Sequence, residues 1–530
     1  MKWRTRTGRS DVIAKGGMVA SSQPLATQAG LDILRKGGNA VDAAVATVAV
    51  LDIVEPFSTG CGGDAFTLIH LPGQSKPLSF NGSGRSGSLM TLQDLLDKGL
   101  TEMPARGGPP VTVPGALHLW STVIEKHGAL ELKEVLEPAI HYARNGFPVS
   151  PMIGQSWTYV LKVFQNEEAR RIYTINGKAP EVGQTMKNKD LGDVFEKVGT
   201  DGSDVFYTGK IAESIVNTVQ EHGGFLTLDD LESHKTEKTE AMSVSYRGVD
   251  VFEHPPNGQG FAALSMLNIM ETFDFSTIDA LSEDRFHLMI EAKKLAYADL
   301  HQHCADPGFY KAPLTKLLSR DYAEERAKTI DSQSAMNDYS SGLSLGKDTV
   351  YLAAADGEGG AVSFINSLYM GIGSGLVAPG TGIKLQNRGH LFSFDPNHPN
   401  CYAPKKLPFH TIIPGALYKN KKLIGMFGIM GGAHQAQAHA QFVSNLIDYE
   451  MTPQEAMDYP RFNHDHKTNT VGLEMGIPLL IEEELRKRGH QIEHNDAVKY
   501  FGGGQAILRL NDDTWIAGSD HRKDGHAAGF

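Results

Sequence analysis

Two runs of apolar, β-prone residues, Val350 to Ala355 and Ala361 to Leu368, flank the turn-forming stretch Asp356-Gly357-Glu358-Gly359-Gly360. Short apolar runs around such a turn predict a β-hairpin. If Ala355 faces Ala361 across the turn, Thr349 faces Ser367, which puts two hydroxyls on one side of the ribbon. Earlier in the chain the period becomes helical. Pro24 to Lys36 reads as an amphipathic helix closed by Gly37-Gly38, and Ala40 to Val54 as a largely apolar, buried one. The small residues of both predict close packing on a sheet. Ala65 to His70 and the stretch near Leu78 to Phe80 predict paired strands that deliver Asn81-Gly-Ser-Gly-Arg85 into a loop. Residues 151 to 240 read as a helical excursion that includes a capped turn at Thr227 to Leu231. His287 to Asp299 again has helical spacing. Residues 331 to 347 are polar and turn-forming and predict a flexible leash.

Thr349 gives the hairpin a candidate chemistry. A threonine hydroxyl is a poor nucleophile at neutral pH unless a base lies within hydrogen-bond reach. The residue's own α-amine can be that base, with a free pKa of roughly 7.7 to 8.0. An internal threonine has only an amide there, so this role requires cleavage of the Asp348–Thr349 bond, after which Ser367 can hold and polarise the hydroxyl. The stretch by itself reads first as an ordinary hairpin bearing two surface hydroxyls.

Composition narrows the partners. Fifty basic against 62 acidic residues give a net charge of −12 with no long run of either sign, which argues against nucleic acid and anionic membranes. Apolar content is ordinary for a globular protein, no linker stands out, and no run of 18 apolar residues is present to span a bilayer. Lys2, Arg4, Arg6 and Arg9 begin like a signal peptide. The nearest apolar stretch, Met18 to Ala20, is interrupted by glycines, so a cytoplasmic protein is expected. Cys61, Cys304 and Cys401 are odd in number and widely spaced, which suits a reducing compartment. Neither His301, His303 and Cys304 nor His464 and His466 have a second cluster at structural-zinc spacing, so no metal is expected, and no cofactor is required. Gly60-Cys61-Gly62-Gly63 lacks the lysine of a phosphate-binding loop and reads as a tight bend.

Four segments, in order, carry a resemblance that runs through nearly the whole chain. They are Gly17 to Ala46 with Thr59-Gly-Cys-Gly-Gly-Asp-Ala-Phe66; the hairpin, continuing into Gly373-Ser-Gly375; Gly428-Ile-Met-Gly-Gly432; and Asp448 to Phe462. Together they resemble the γ-glutamyltransferases, a family of N-terminal-nucleophile hydrolases whose precursors cleave themselves before a threonine. Val113 to Gly146 shares the likeness as helical scaffold.

With the alternating strand and helix signals, the resemblance implies a four-layer αββα sandwich. It also implies a large subunit of residues 1–348 and a small one of 349–530, forming a heterodimer, and a small-molecule amide as substrate. Thr349 is then nucleophile, Ser367 its hydroxyl partner, and Gly431 and Gly432 the donors to the oxyanion.

Departures from the family's pattern bear on the substrate. Asn81 stands where the family typically has a carboxylate-binding arginine, and Arg85, four residues on, is the candidate to replace it. Tyr369 stands where an asparagine is usual. Arg388 and Leu391 stand where acceptors for the substrate's α-ammonium are usual, and neither can accept from one. His410 and Thr411 replace a Ser-Ser pair that contacts the carboxylate. Only 18 residues separate Leu391 from His410, which predicts a short lid and an open site. The family's activity implies hydrolysis of γ-glutamyl compounds, including glutathione, or γ-glutamyl transfer. Asn81, Tyr369, Arg388 and Leu391 point to a glutaryl or cephalosporin acylase with the same mechanism. An uncleaved, catalytically silent binding protein is the third alternative.

Overall fold

A computed structural model of the chain describes residues 1–2, 8–337, 348–494 and 498–530. Fourteen strands make its two large sheets: β1 Val12–Ala14, β2 Gly17–Ser21, β3 Asp64–His70, β4 Leu78–Gly82, β5 Glu237–Thr239, β6 Met242–Tyr246, β7 Val249–Glu253, β8 Asp348–Asp356, β9 Ala361–Tyr369, β10 Gly415–Lys419, β11 Lys422–Met430, β12 Gly503–Asn511, β13 Thr514–Ser519 and β14 His526–Gly529. One sheet runs β14-β2-β8-β9-β3-β4-β5, the other β1-β13-β12-β11-β10-β7-β6. Every pairing in both is antiparallel.

The alternation of side chains along β8 shows why the sheets stack. Tyr351, Ala353 and Ala355 share an apolar layer with Phe66, Met426 and Ile507, between the sheets. Val350, Leu352 and Ala354 point the other way. They meet the helices α1 Pro24–Arg35, α2 Ala40–Val54, α3 Ala116–His127 and α4 Leu132–Asn145. On the far side, α5 Gly260–Met270, α6 Glu283–His303 and α7 His434–Ile447 cover the second sheet through Val251, Phe427, Ile429 and Leu508. The order helix, sheet, sheet, helix is the expected αββα sandwich.

Local signals hold at several points. α1 ends in a Schellman motif, with Gly37 at φ +97° and the Gly37 and Gly38 N–H groups donating to Leu34 and Ile33 carbonyls. α2 covers the predicted residues and is buried along its whole length. Thr227 and Asp230 form a capping box. The leash expectation for residues 331–347 is tested only over its first part. Residues 338–347 lie outside the described residues, whereas the preceding 331–337 are tied down: the Ala335 N–H donates to the Arg488 carbonyl at 2.6 Å and the Met336 N–H to Glu291 at 2.9 Å. No helix among the described residues is long and apolar enough to cross a membrane.

Candidate active site

The predicted hairpin register holds from Ala355↔Ala361 down to Val350↔Asn366, and an irregularity then falls between Asp348 and Val350, at Thr349. A bulge re-aims a side chain, and its place at this strand start is where such devices concentrate. The Thr349 and Ser367 hydroxyls lie 3.1 Å apart. Both are buried, Thr349 at 2 % exposure and Ser367 at 0 %. That excludes a hairpin with two surface hydroxyls and gives, in the continuous chain, a closed rather than an open site.

Ser367 is the hub of the cluster. Its Oγ accepts from the Arg388 guanidinium at 2.9 Å and from the Tyr369 N–H at 2.8 Å. Both are obligate donors, and the Thr349 hydroxyl donates to the same oxygen, so Ser367 Oγ is the shared acceptor that holds the Thr349 hydroxyl in place. Arg388 also donates to Thr411 Oγ1 at 2.8 Å and lies 4.6 Å from the centre of the Tyr369 ring. Tyr369 is held at φ +80°, a backbone region costly for a residue with a side chain, and its ring packs with Leu391, Phe409 and Ile413. From the other side, the Gln435 amide reaches to 3.5 Å from Thr349 Oγ1 and is steadied by the Ile413 N–H at 3.1 Å.

A buried acid and base flank this hub. Asp64 pairs with Ser367 across β3 and β9, and its carboxylate accepts from His410 Nε2 at 2.9 Å, Gln386 at 2.9 Å and the Gly84 N–H at 2.9 Å. Burial raises Asp64 to about 7, although the Arg388 charge and these donors pull the other way. Burial, then the Arg388 charge, hold His410 well below its ordinary range, so the His410–Asp64 contact is a hydrogen bond and not an ion pair. Burial likewise lowers Arg388 to about 10, against the pull of Asp64. Among the described residues, Arg388 Nε and His410 Nδ1 have no hydrogen-bond partner.

The turn that would serve an oxyanion lies just before α7. Gly431 and Gly432 have φ +138° and +61°, and no described residue accepts from their N–H groups. Gln259 fixes the turn by donating to the carbonyls of Thr411 and Gly432. The N-terminus of α7 adds its partial positive charge. The Gly60-Cys-Gly-Gly bend presses against the hub: a Cβ at Gly63 would lie 2.3 Å from the Ser367 carbonyl oxygen, and one at Gly62 would lie 1.8 Å from that of Lys384. Only glycine fits at either position.

Two expected substrate contacts are engaged elsewhere. Arg85, 38 % exposed, pairs with Asp306 at 3.0 Å and Glu237 at 2.7 Å. Asn81 is buried, donating to Asn257 and accepting from the Ser83 N–H and hydroxyl. It fixes the loop beside His410, whose N–H donates to the Asn257 carbonyl at 2.8 Å. Sequence reasoning passes over Asp64 and Gln435. Asp64 lies inside the Thr59–Phe66 segment, but no local spacing marks it as the partner of a histidine 346 positions away.

A two-sheet sandwich between helical layers, with a buried threonine opening a central strand next to a glycine turn, defines the class as N-terminal-nucleophile hydrolases. The chain belongs to the gamma-glutamyltranspeptidase family, whose model matches residues 26–530. It is 37 % identical over 526 residues to the glutathione hydrolase-like YwrD proenzyme of Bacillus subtilis, covering 98 % of this chain and 99 % of that one. It is 32 % identical over 533 residues to the oxamate amidohydrolase proenzyme of Klebsiella pneumoniae, covering 98 % and 100 %. The crystal structure of cephalosporin acylase from Bacillus halodurans superposes with a TM-score of 0.93 at 41 % identity, covering 100 % of this chain and 98 % of that one. The protein is an enzyme of this family, a hydrolase or acyltransferase working through an N-terminal threonine.

Proposed function

We propose that the chain cleaves itself between Asp348 and Thr349 and then hydrolyses γ-glutamyl-type amides through a Thr349 acyl-enzyme. The observation that carries this is the convergence on Thr349: a buried hydroxyl 3.1 Å from Ser367, which is in turn polarised by Arg388. In the precursor, the Thr349 hydroxyl attacks the Asp348 carbonyl carbon, the peptide C–N bond breaks, and water hydrolyses the resulting ester. In the mature enzyme the freed amine takes the hydroxyl proton, the oxygen attacks the substrate amide, and the Gly431 and Gly432 N–H groups receive the oxyanion. Water or an amine acceptor then releases the acyl group. Residues 1–348 and 349–530 remain a heterodimer because strands from both halves alternate in the sheets, with β8 and β9 between β2 and β3.

A second reading keeps the mechanism and changes the acyl group. Arg388 is a buried cation with a spare N–H, and Leu391 beside it is apolar. Such a pocket suits an acyl group ending in a bare carboxylate, such as glutaryl, better than one ending in an α-ammonium. Relatives named for an oxamate amidohydrolase and a cephalosporin acylase are in keeping with that choice.

Intact mass tests the first step. Wild type should give fragments of 348 and 182 residues of the 530, the smaller starting at Thr349, and Thr349→Ala should stay whole. A wild-type chain that remains whole on incubation would leave Thr349 without a base and return the binding-protein alternative. Parallel hydrolysis of γ-glutamyl and glutaryl anilides separates the two substrate readings, the larger kcat/KM deciding.

A further inference from the structure

Away from Thr349, α6 carries His287 and Glu291 four residues apart and therefore on one face of the helix. The turn after the helix Leu479–Lys487 brings His490 against them. All three side chains are buried. His287 Nδ1 and His490 Nε2 are 2.8 Å apart, and with a Glu291 carboxylate oxygen they form a set of ligand atoms all within 4.8 Å of one another. We infer that His287, Glu291 and His490 form a binding site for a first-row divalent transition metal, zinc foremost.

The surroundings place each lone pair as a metal requires. His287 Nε2 lies 2.8 Å from the Asp331 carbonyl, which can only accept, so the proton sits on Nε2 and Nδ1 presents a lone pair. An imidazole whose far nitrogen donates to a backbone carbonyl is the usual support of a metal-bound histidine. Glu291 is set in the same way. Its Oε2 accepts the Met336 N–H at 2.9 Å, while among the described residues Oε1 has no aligned hydrogen bond and only the Lys294 ammonium 2.8 Å away.

His490 completes the set. Without metal, its Nε2–H donates to His287 and its Nδ1 has no partner among the described residues. Moving that proton to Nδ1 frees Nε2 as a ligand with no change in charge. The two imidazole nitrogens must separate by about half an ångström to meet zinc at about 2.0 Å each, a rotation of two rings.

Lys294 is the apparent obstacle, yet it too is provided for. Its ammonium has a second acceptor in the Met336 carbonyl at 2.8 Å. A dication arriving at Glu291 Oε1 therefore takes the place of the ammonium there, and the ammonium keeps the Met336 carbonyl. Two imidazoles and one carboxylate favour zinc or cobalt over magnesium or calcium and leave a fourth position for water. The site would pin α6 to residues 331–336 and to the turn at Arg488, the chain that leads towards the cleavage junction.

The test uses the full-length protein, stripped with a chelator and titrated with cobalt(II) chloride. The expected result is one cobalt per chain with a tetrahedral visible absorption band, at least 10-fold weaker binding in Glu291→Gln and in His490→Gln, and displacement by zinc chloride. Zinc should also raise the Tm of the stripped wild type but not of Glu291→Gln, a comparison that stands even if His490→Gln misfolds. No band in wild type, or the same affinity in both variants because others of the 21 histidines bind the ion, overturns the proposal.

Discussion

Arg388 and Arg85 are the two cations that the sequence offers to a substrate carboxylate, and the structure gives them opposite surroundings. Arg388 is fully buried, spans Ser367 and Thr411, and faces Asp64. Arg85 lies at the rim of a cavity of about 140 Å³ lined also by Asp230, His234, Lys235, Glu237 and Lys405, where solvent and two acids share its charge. A buried guanidinium keeps its position because every alternative leaves acceptors unpaired, whereas an exposed one can trade partners with water at little cost. Residue type alone makes the two equivalent. Burial decides which of them can organise chemistry.

The comparison breaks most visibly at Arg388. Arg388→Met removes a buried charged donor from Ser367 and Thr411, and a hydrogen bond to a charged group contributes about 1.5–3 kcal/mol. Loss of a preorganised donor near the reacting oxygen lowers rates about 10²–10³-fold. Denaturant unfolding should report the first effect, and the rates of self-cleavage and amide hydrolysis the second. A variant that matures and turns over at the wild-type rate would reduce Arg388 to packing.

Asp64 sharpens the same contrast through pH. Its folded pKa of about 7 lies above an unfolded value of roughly 3.9, so its contribution to stability is fully present below pH ~4 and is lost as pH rises through 7. Asp64→Asn removes this titration while keeping an acceptor for Gln386 and Gly84. The stability of the wild type relative to Asp64→Asn should fall between pH 5 and 7 by up to about 1.4 kcal/mol per pH unit. A flat difference would mean that Arg388 holds Asp64 ionised throughout that range.

Much of the fold is legible in the amino-acid order because it is local. The hairpin turn, its register as far as Asn366, the glycine closure of α1 and the apolar run of α2 are set by neighbours in sequence. The four-layer order follows from strands and helices that must each bury one face. The carboxylate side of the site is not legible in that way. Asp64, His410, Gln386 and Arg388 come from segments up to 346 residues apart, and only the folded chain shows that Arg388 points at Ser367 while Arg85 turns to Asp306. The bulge at Thr349 is hidden for a related reason: strand patterning fixes the face of a side chain but not a one-residue irregularity at the strand's end.

Arg85→Ala should have the smallest effect, and it is the control that gives the larger ones meaning. The exposed pair with Glu237 is worth about 1 kcal/mol at most, and salt screens it further. Asp306 is buried, but it keeps the N–H groups of Leu407 and Gly308, each at 2.8 Å, so losing the guanidinium does not strand its charge. Unfolding free energy should therefore drop by about 1 kcal/mol or less. The kcat/KM for glutaryl or γ-glutamyl anilide should stay within about 3-fold of wild type, a shift of under about 1 kcal/mol. A tenfold or greater weakening of substrate binding at constant kcat would show that Arg85 leaves Asp306 to bind the substrate, which would move the carboxylate anchor from the buried arginine to the exposed one.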